Sequence, residues 1–291
     1  LSDHVIYRRC VGRLDAINTL HDTTKYEPVG GFSIYGSSYC EIQNCIIIDS
    51  DVIDYWAYES TPGAFITPNG TGSNNRFVGC IGLKIDIPGG GSASGYTDTL
   101  RENCVHWDMM RSAIYGGETN FDHCTLGVMK DSPETSAGIN AYNSTATANN
   151  SIFYDLDGDL GAVYNVTSDY NYFYANSTNF TGGSSVGAHD VTDVDPTNGS
   201  LEYLLRIEDD SDLDGEASDS GDVGATILKK IGTSGTLWGE TGYATLTDDD
   251  LWPFPNEDII KTNFASYDHA NVSGTRGFCA DTDNTRTDTG K

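Results

Sequence analysis

The chain has 291 residues, 37% hydrophobic and 20% charged, with a formal net charge of −27 and only 16 Lys and Arg. That is the composition of a folded globular chain; no run of eighteen apolar residues offers a membrane span, and the acidity excludes nucleic acid, whose phosphates reward clustered cations. The acids are mostly Asp, 32 against 11 Glu, and together with 33 Gly and 17 Tyr they favour turns and strands over helices.

Leu1 is neither an initiator Met nor the start of a signal peptide, so a processed product or part of a longer precursor is expected. "SDHVIYRRC" then reads as starting inside a strand unit, with no amphipathic helix ahead of it. From there one phrase recurs: a small residue followed by a short apolar strand, often ending in Asp. Its anchors are Cys10, Cys45, Cys80, Cys104, Cys124, Ser151 and Asn171, at spacings of 35, 35, 24, 20, 27 and 20 residues. Upstream of each later anchor runs a second short strand, as in "GGFSIYG", "GAFITPNG", "SAIYGG" and "GAVYNVT". The periodicity inside these units is two, the value for strands.

Three short strands per unit and a repeat near twenty residues predict an all-β chain, a right-handed parallel β-helix of about seven rungs. With ~4.8 Å per rung this makes a rod of roughly 30 Å. The anchors form an inward ladder in which Cys serves as a small hydrophobe. Their spacing fits neither a metal site nor disulfides along the ladder, while Cys40 and Cys279 lie off it. Residues 1–176 are expected to be rungs. Residues 177–291 then supply a last strand, an acidic turn and an aromatic/Pro cap around Trp252–Pro255.

These repeats resemble the secreted right-handed parallel β-helix proteins of the pectate-lyase-like superfamily, over Arg8 to about Ala175. The tail is similar to that family's closing segment through "DVDP" and "DVGA", although its Ser-Pro is replaced here by acids. "LWPFPNED" and "IIKTNFASY" resemble its aromatic-proline segment and final short helix. The resemblance implies the fold, and it raises polysaccharide lyase or hydrolase chemistry as one expectation.

That chemistry needs acids gathered on one groove, with a base beside them in the lyases. Acids follow the anchor strands at Asp15, Asp49, Asp86, Asp108 and Asp155. The superfamily's hydrolase motifs are absent, and Lys84, Arg101 and Arg111 have no matching acid cluster. The row reads either as strand-ending turn residues or, since stacked like charges repel, as a calcium-binding edge. A second candidate for Ca2+ is "DSDLDGEASDSGD", where Asp210, Asp212 and Asp214 take the first, third and fifth places of a calcium loop but Gly221 takes the twelfth. Tyr35, Tyr115 and Tyr164, with Tyr142 nearby, form a candidate sugar or subunit contact. The six His, among them His106, His123 and His189, show no ligand or triad spacing. Candidate glycosylation sequons stand at Asn69, Asn143, Asn165, Asn176, Asn179, Asn198 and Asn271.

A β-helix must protect its terminal rungs. The expected N-terminal rung has no cap of its own, so a preceding domain or docking of a second copy is expected. The leading expectation is a non-catalytic extracellular or cell-surface protein that self-assembles into a layer, sheath or filament. Its rivals are a polysaccharide-binding or polysaccharide-cleaving protein and a tail-fibre or adhesin segment.

Overall fold

A computed structural model of the chain describes residues 3–13, 30–34, 36–48, 63–66, 71–85, 96–109, 114–115, 119–129, 136–196, 205–207, 211–237, 239–251, 268–269 and 272–273. Among them there is no helix; the regular structure is strands. Among the described residues no helix is long and apolar enough to cross a membrane. The aromatic-proline segment from Trp252 and the helix expected after it lie outside the described residues, as does Cys279.

Three parallel sheets carry the fold. The first takes, in order, Ile6–Arg8, Glu41–Gln43, Arg76–Val78, Thr99–Glu102, Thr119–Asp122, Ala146–Asn149 and Val166–Asp169. The second takes Val11–Arg13, Ile46–Ile48, Ile81–Ile85, Val105–Met109, Thr125–Met129, Ile152–Leu156, Tyr172–Tyr174 and Val191–Thr192. The third takes Ile114–Tyr115, Ile139–Asn140, Val163–Tyr164 and Phe180–Thr181, and Gly30–Ser33 pairs separately with Gly63–Ile66. Every one of these pairings is parallel, and each strand lies beside its counterpart from the previous unit of sequence. We call each unit a pass and number it by its anchor, Cys10 marking pass one.

Period-two alternation sends one side chain in every pair to the space between the sheets. In the first sheet Ile42, Phe77, Arg101, Phe121 and Ala148 follow one another in register. In the second, His106, Leu126, Phe153 and Phe173 do the same, with Phe153 and Phe173 stacked at 4.7 Å. Like residues stack on like because parallel strands in register repeat each position about every 4.8 Å.

The second sheet is apolar on its outer face too. Ile46, Ile81, Val105, Trp107, Ile152, Tyr154 and Tyr172 belong to a separate buried cluster with Leu205, Ile207, Leu213, Ala217, Val223, Ala225, Ile227 and Leu251. This explains near-continuous apolar runs such as "CIII" and "SIFY", which are buried on both faces. In the C-terminal region Phe180–Thr181 and Val191–Thr192 continue the stack, whereas Leu205 to Leu251, in the described part, run along its flank. Leu213 lies near pass seven, where the Tyr172 hydroxyl donates to the Asp212 carbonyl (2.9 Å). Ser218 meets Asn150, Ala225 meets Thr125, Thr226 meets Asn103 and Ile231 meets Asn44. The Arg8 guanidinium of pass one donates to the Tyr243 carbonyl. The chain thus returns as a strap along the stack. From Val223 to Gly232 it spans nine residues, at most ~30 Å at ~3.4 Å each, against ~24 Å for five steps between passes. The strap is therefore close to extended.

Trp107 explains a glycine in mid-strand. Gly127 is its register partner, and a Cβ there would collide with the indole ring, which stacks on Tyr154 at 5.6 Å. The missing side chain makes room for a ring from the neighbouring strand.

Candidate functional site

Each anchor follows a corner residue in the left-handed region: Arg9, Asn44, Gly79, Asn103, His123, Asn150 and Tyr170 have φ between 48° and 62°. Gly and Asn tolerate this conformation best. The corner Asn residues also hold the strap. Asn103 Oδ1 accepts from Thr226 N (2.6 Å) while its Nδ2 donates to Thr226 O (2.5 Å). Asn44 and Asn150 accept from Ile231 N and Ser218 N, both at 2.8 Å.

The anchors do more than fill space. Each thiol has its one proton within reach of two carbonyls, one in the preceding pass (Cys80 to Ile42 3.3 Å, Cys104 to Phe77 3.3 Å, Cys124 to Arg101 3.4 Å) and one two residues back (Cys104 to Glu102 3.4 Å, Cys124 to Asp122 3.3 Å). The acceptors in the preceding pass are the carbonyls of its inward first-sheet residues. Asn171 makes the same contact to Ala148 (2.8 Å). From pass five onward, side-chain oxygens also accept from the preceding anchor's N–H: Ser151 from Cys124, Asn171 from Ser151, and Asp190 from Asn171. Asp190 is thus an eighth anchor, leading into Val191–Thr192. Burial pushes the Cys45 thiol up to about 12 and raises Cys80 and Cys124 well above the ordinary range. These thiols stay protonated, as donors must. Cys40 belongs to another corner, where its N–H donates to Asn75 Oδ1 (3.0 Å) and its thiol to Ser38 O (3.5 Å).

The expected acid row does not assemble in its described part. Trp107 pairs with Leu83 and Gly127, and Met109 with Ile85 and Met129. Asp108 therefore sits in register between Lys84 and Val128, and Asp155 is likewise beside Val128. Stacked carboxylates were the physical motive for calcium there, and this register removes it. Lys84, Asp108, Val128 and Asp155 each stand four residues after their own anchor, so the column follows the anchor register, and its two acids are separated because the pass between them carries Val128. Asp15, Asp49, Asp86 and Arg111 lie outside the described residues.

Two of the basic side chains face inward. Arg101 is 1% exposed, its guanidinium 4.3 Å from the Phe77 ring centre and 5.9 Å from that of Phe121. Burial lowers its pKa. His106 is fully buried, and burial first, then the Arg101 charge, push it down to about 3, so it is neutral. Enclosed in the core, neither can reach a polysaccharide outside the stack.

Among the described residues no group of three His, Cys, Asp or Glu side chains is placed to hold a metal ion. Asp210 lies outside them; Asp212 and Asp214 flank Leu213, which is buried under the strap, and the turn closes through Asp214 N–H to Ser211 O (3.1 Å). Asp222 Oδ1 accepts from Gly215 N–H (3.3 Å). The tyrosines form no continuous row either: Tyr115 and Tyr164 share a register column interrupted by Asn140. Tyr35 lies outside the described residues, and Tyr142 is 47% exposed on a turn.

The sequons separate by geometry. Asn143 is exposed. Asn176 spends its amide on Phe153 O, Asn179 Oδ1 and Leu156 N, and Asn165 accepts from Gly183 N–H (2.7 Å). One further sequon, Asn149-Asn150-Ser151, ends in the fully buried anchor Ser151. Asn69, Asn198 and Asn271 lie outside the described residues.

What remains outward is concentrated at the two ends of the stack. Among the described residues the exposed large hydrophobic side chains are Tyr7, Val11, Tyr39, Tyr142, Val186, Val194, Leu237 and Leu246. Tyr7 and Val11 lie on the pass-one edge strands, Tyr39 stacks on His4 beside them at 5.2 Å, and Leu237 is on the adjoining strap loop. Val186 and Val194 flank the opposite edge strand, Val191–Thr192. The cations are unevenly placed as well. Arg8, Arg9 and Arg13 sit in pass one, whereas no Lys or Arg occurs between Lys130 and Arg206, a stretch with eight Asp and two Glu. The divide was readable in the sequence as a run without cations.

The pass-one end is polar but tied together. Arg8 also donates to Gln43 Oε1, Gln43 donates to Glu41, and Arg76 bridges Glu41 (3.3 Å) and Glu102 (2.8 Å). Burial disfavours the Arg76 charge, but the hydrogen bond to Glu102 and the Glu41 and Glu102 charges outweigh it and raise the pKa. This network anchors the strap loop over the first sheet. No protein-family model and no curated protein matches this chain.

Proposed function

We propose that the stacked parallel sheets are a right-handed parallel β-helix of the secreted, pectate-lyase-like kind, and that the protein is a non-catalytic structural component of the extracellular surface. Parallel strands joined by a crossover take the right-handed course in nearly all known sheets, which supports the hand. The protein assembles end to end: the pass-one edge of one copy docks on the last pass of the next, giving a filament or sheath. Such a head-to-tail contact is heterologous and does not close on itself unless its rotation makes a ring.

One observation carries this reading. Most of the exposed apolar side chains lie at the two ends of the stack, Tyr7 and Val11 with three Arg in pass one, and Val186 and Val194 at the other end in a stretch without Lys or Arg. A second copy offers each edge strand a pairing partner, apolar cover and countercharge beyond those the described residues supply. Exposure of Asn143 in a sequon suits an extracellular location. Sedimentation velocity and electron microscopy across a concentration series test the proposal. Head-to-tail oligomers that dissociate in high salt are expected, because exposed charge pairs are screened there. Monomers at every concentration and ionic strength overturn it, and cleavage of an acidic polysaccharide would establish the enzymatic alternative.

A further inference from the structure

At the pass-one end an open cleft lies between the first edge strand and the strap loop, lined by His4, Ile6, Arg8, Thr236 and Leu237. The loop is firmly built: Thr233 N–H donates to Gly242 O (2.9 Å), and Leu237 N–H to Glu240 Oε2 (2.8 Å). It nevertheless leaves Leu237 70% exposed, the highest exposure among the large hydrophobic side chains described. A hydrogen-bonded loop that holds an apolar side chain in water beside an arginine has the form of half an interface. At the far end, Asp193 has φ 67°, and its N–H is fixed to Phe173 O (3.0 Å). This bend turns the chain off the last strand and leaves Val194 40% exposed between Asp193 and Asp195.

Resting on the end-to-end reading above, we infer that this cleft is a docking site for the Asp193-Val194-Asp195 segment of a second copy. Val194 lies between Ile6 and Leu237, and the flanking carboxylates face Arg8, Arg9 and His4. The two wall residues Thr236 and Leu237 belong to the strap, which reaches pass one only after docking along the whole flank. The site is therefore complete only in a fully folded chain, so assembly is conditional on strap docking and partly folded chains are excluded from the filament.

The test uses the full chain and four variants, each checked for wild-type melting. Leu237→Asp is expected to raise the concentration needed for association at least about tenfold, as loss of one well-buried apolar contact does. Leu246→Asp, at the next most exposed leucine, on the flank strand Leu246–Asp250, is expected to change nothing. Arg9→Glu and Asp193→Lys should each stay monomeric alone and co-assemble when mixed, because the altered head of one then matches the altered tail of the other. If the unaltered protein never associates, the end-to-end reading itself fails. If it associates but Leu237→Asp associates equally well, or the mixed charge variants do not, only this docking site is overturned.

Discussion

Asn103 offers the most direct test of how the strap is held. Its side chain pairs with both the N–H and the carbonyl of Thr226, 123 residues away, from a corner with φ 52°. Replacement by Gly removes both bonds but keeps the left-handed backbone cheap. Two partly buried hydrogen bonds at ~1 kcal/mol each make the expected loss about 2 kcal/mol. Asn103→Ala loses the same bonds and adds a left-handed Cβ penalty of about 1 kcal/mol, for a total near 3 kcal/mol. Urea unfolding followed by tryptophan fluorescence measures both, since Trp107 lies in the buried cluster beneath the strap. Limited proteolysis adds a local readout, because a loosened strap is cut before the stack unfolds. A Gly variant within about 0.5 kcal/mol of wild type, or an Ala variant no worse than Gly, would refute the idea that corner Asn residues clamp the strap.

Two other perturbations follow from the same geometry. Gly127→Ala drives a Cβ into the Trp107 ring and is expected to cost about 1–3 kcal/mol by overpacking; most of this should vanish in a Trp107→Leu background, and equal costs in both backgrounds would contradict the collision. His123 lies 3.2 Å from Asp122 and 3.4 Å from Asp219 of the strap; burial disfavours its charge, but the two carboxylates outweigh burial and raise its pKa above the ordinary 6.5. A raised histidine pKa stabilises fully below the unfolded value and loses this contribution as pH rises through the folded value. The melting-temperature gap between wild type and His123→Gln should therefore be widest near pH 5.5 and close above the folded pKa, and a pH-independent gap would sink the assignment.

Much of the architecture is local, and so it was legible. The alternation in "TLRENCVHWDM" forces strands, and the repeated anchor forces them to stack in register, because each side chain needs its copy one pass away. All-β character and parallel pairing follow from that repetition alone. The corner Asn residues carried a readable signal, standing directly before Cys45, Cys104 and Ser151, yet their partners lie 68 to 187 residues off and share no motif with them. Asp190 escaped notice as an anchor because a carboxylate is unexpected in a ladder of thiols; it fits since Asn171 N–H, the Ser168 hydroxyl and Gly187 N–H all donate to it.

Sequence by itself therefore determined the strands, their period and the small residue each corner requires, all properties of a chain segment and its near repeat. The anchors also carried the register that places Asp108 between Lys84 and Val128, since each of the three stands four residues after its own anchor. Only tertiary structure decided that the strap covers a flank. An irregular, nearly extended strap has no periodicity of its own, and its course is dictated by the apolar outer face of the second sheet, which exists only once the passes have stacked.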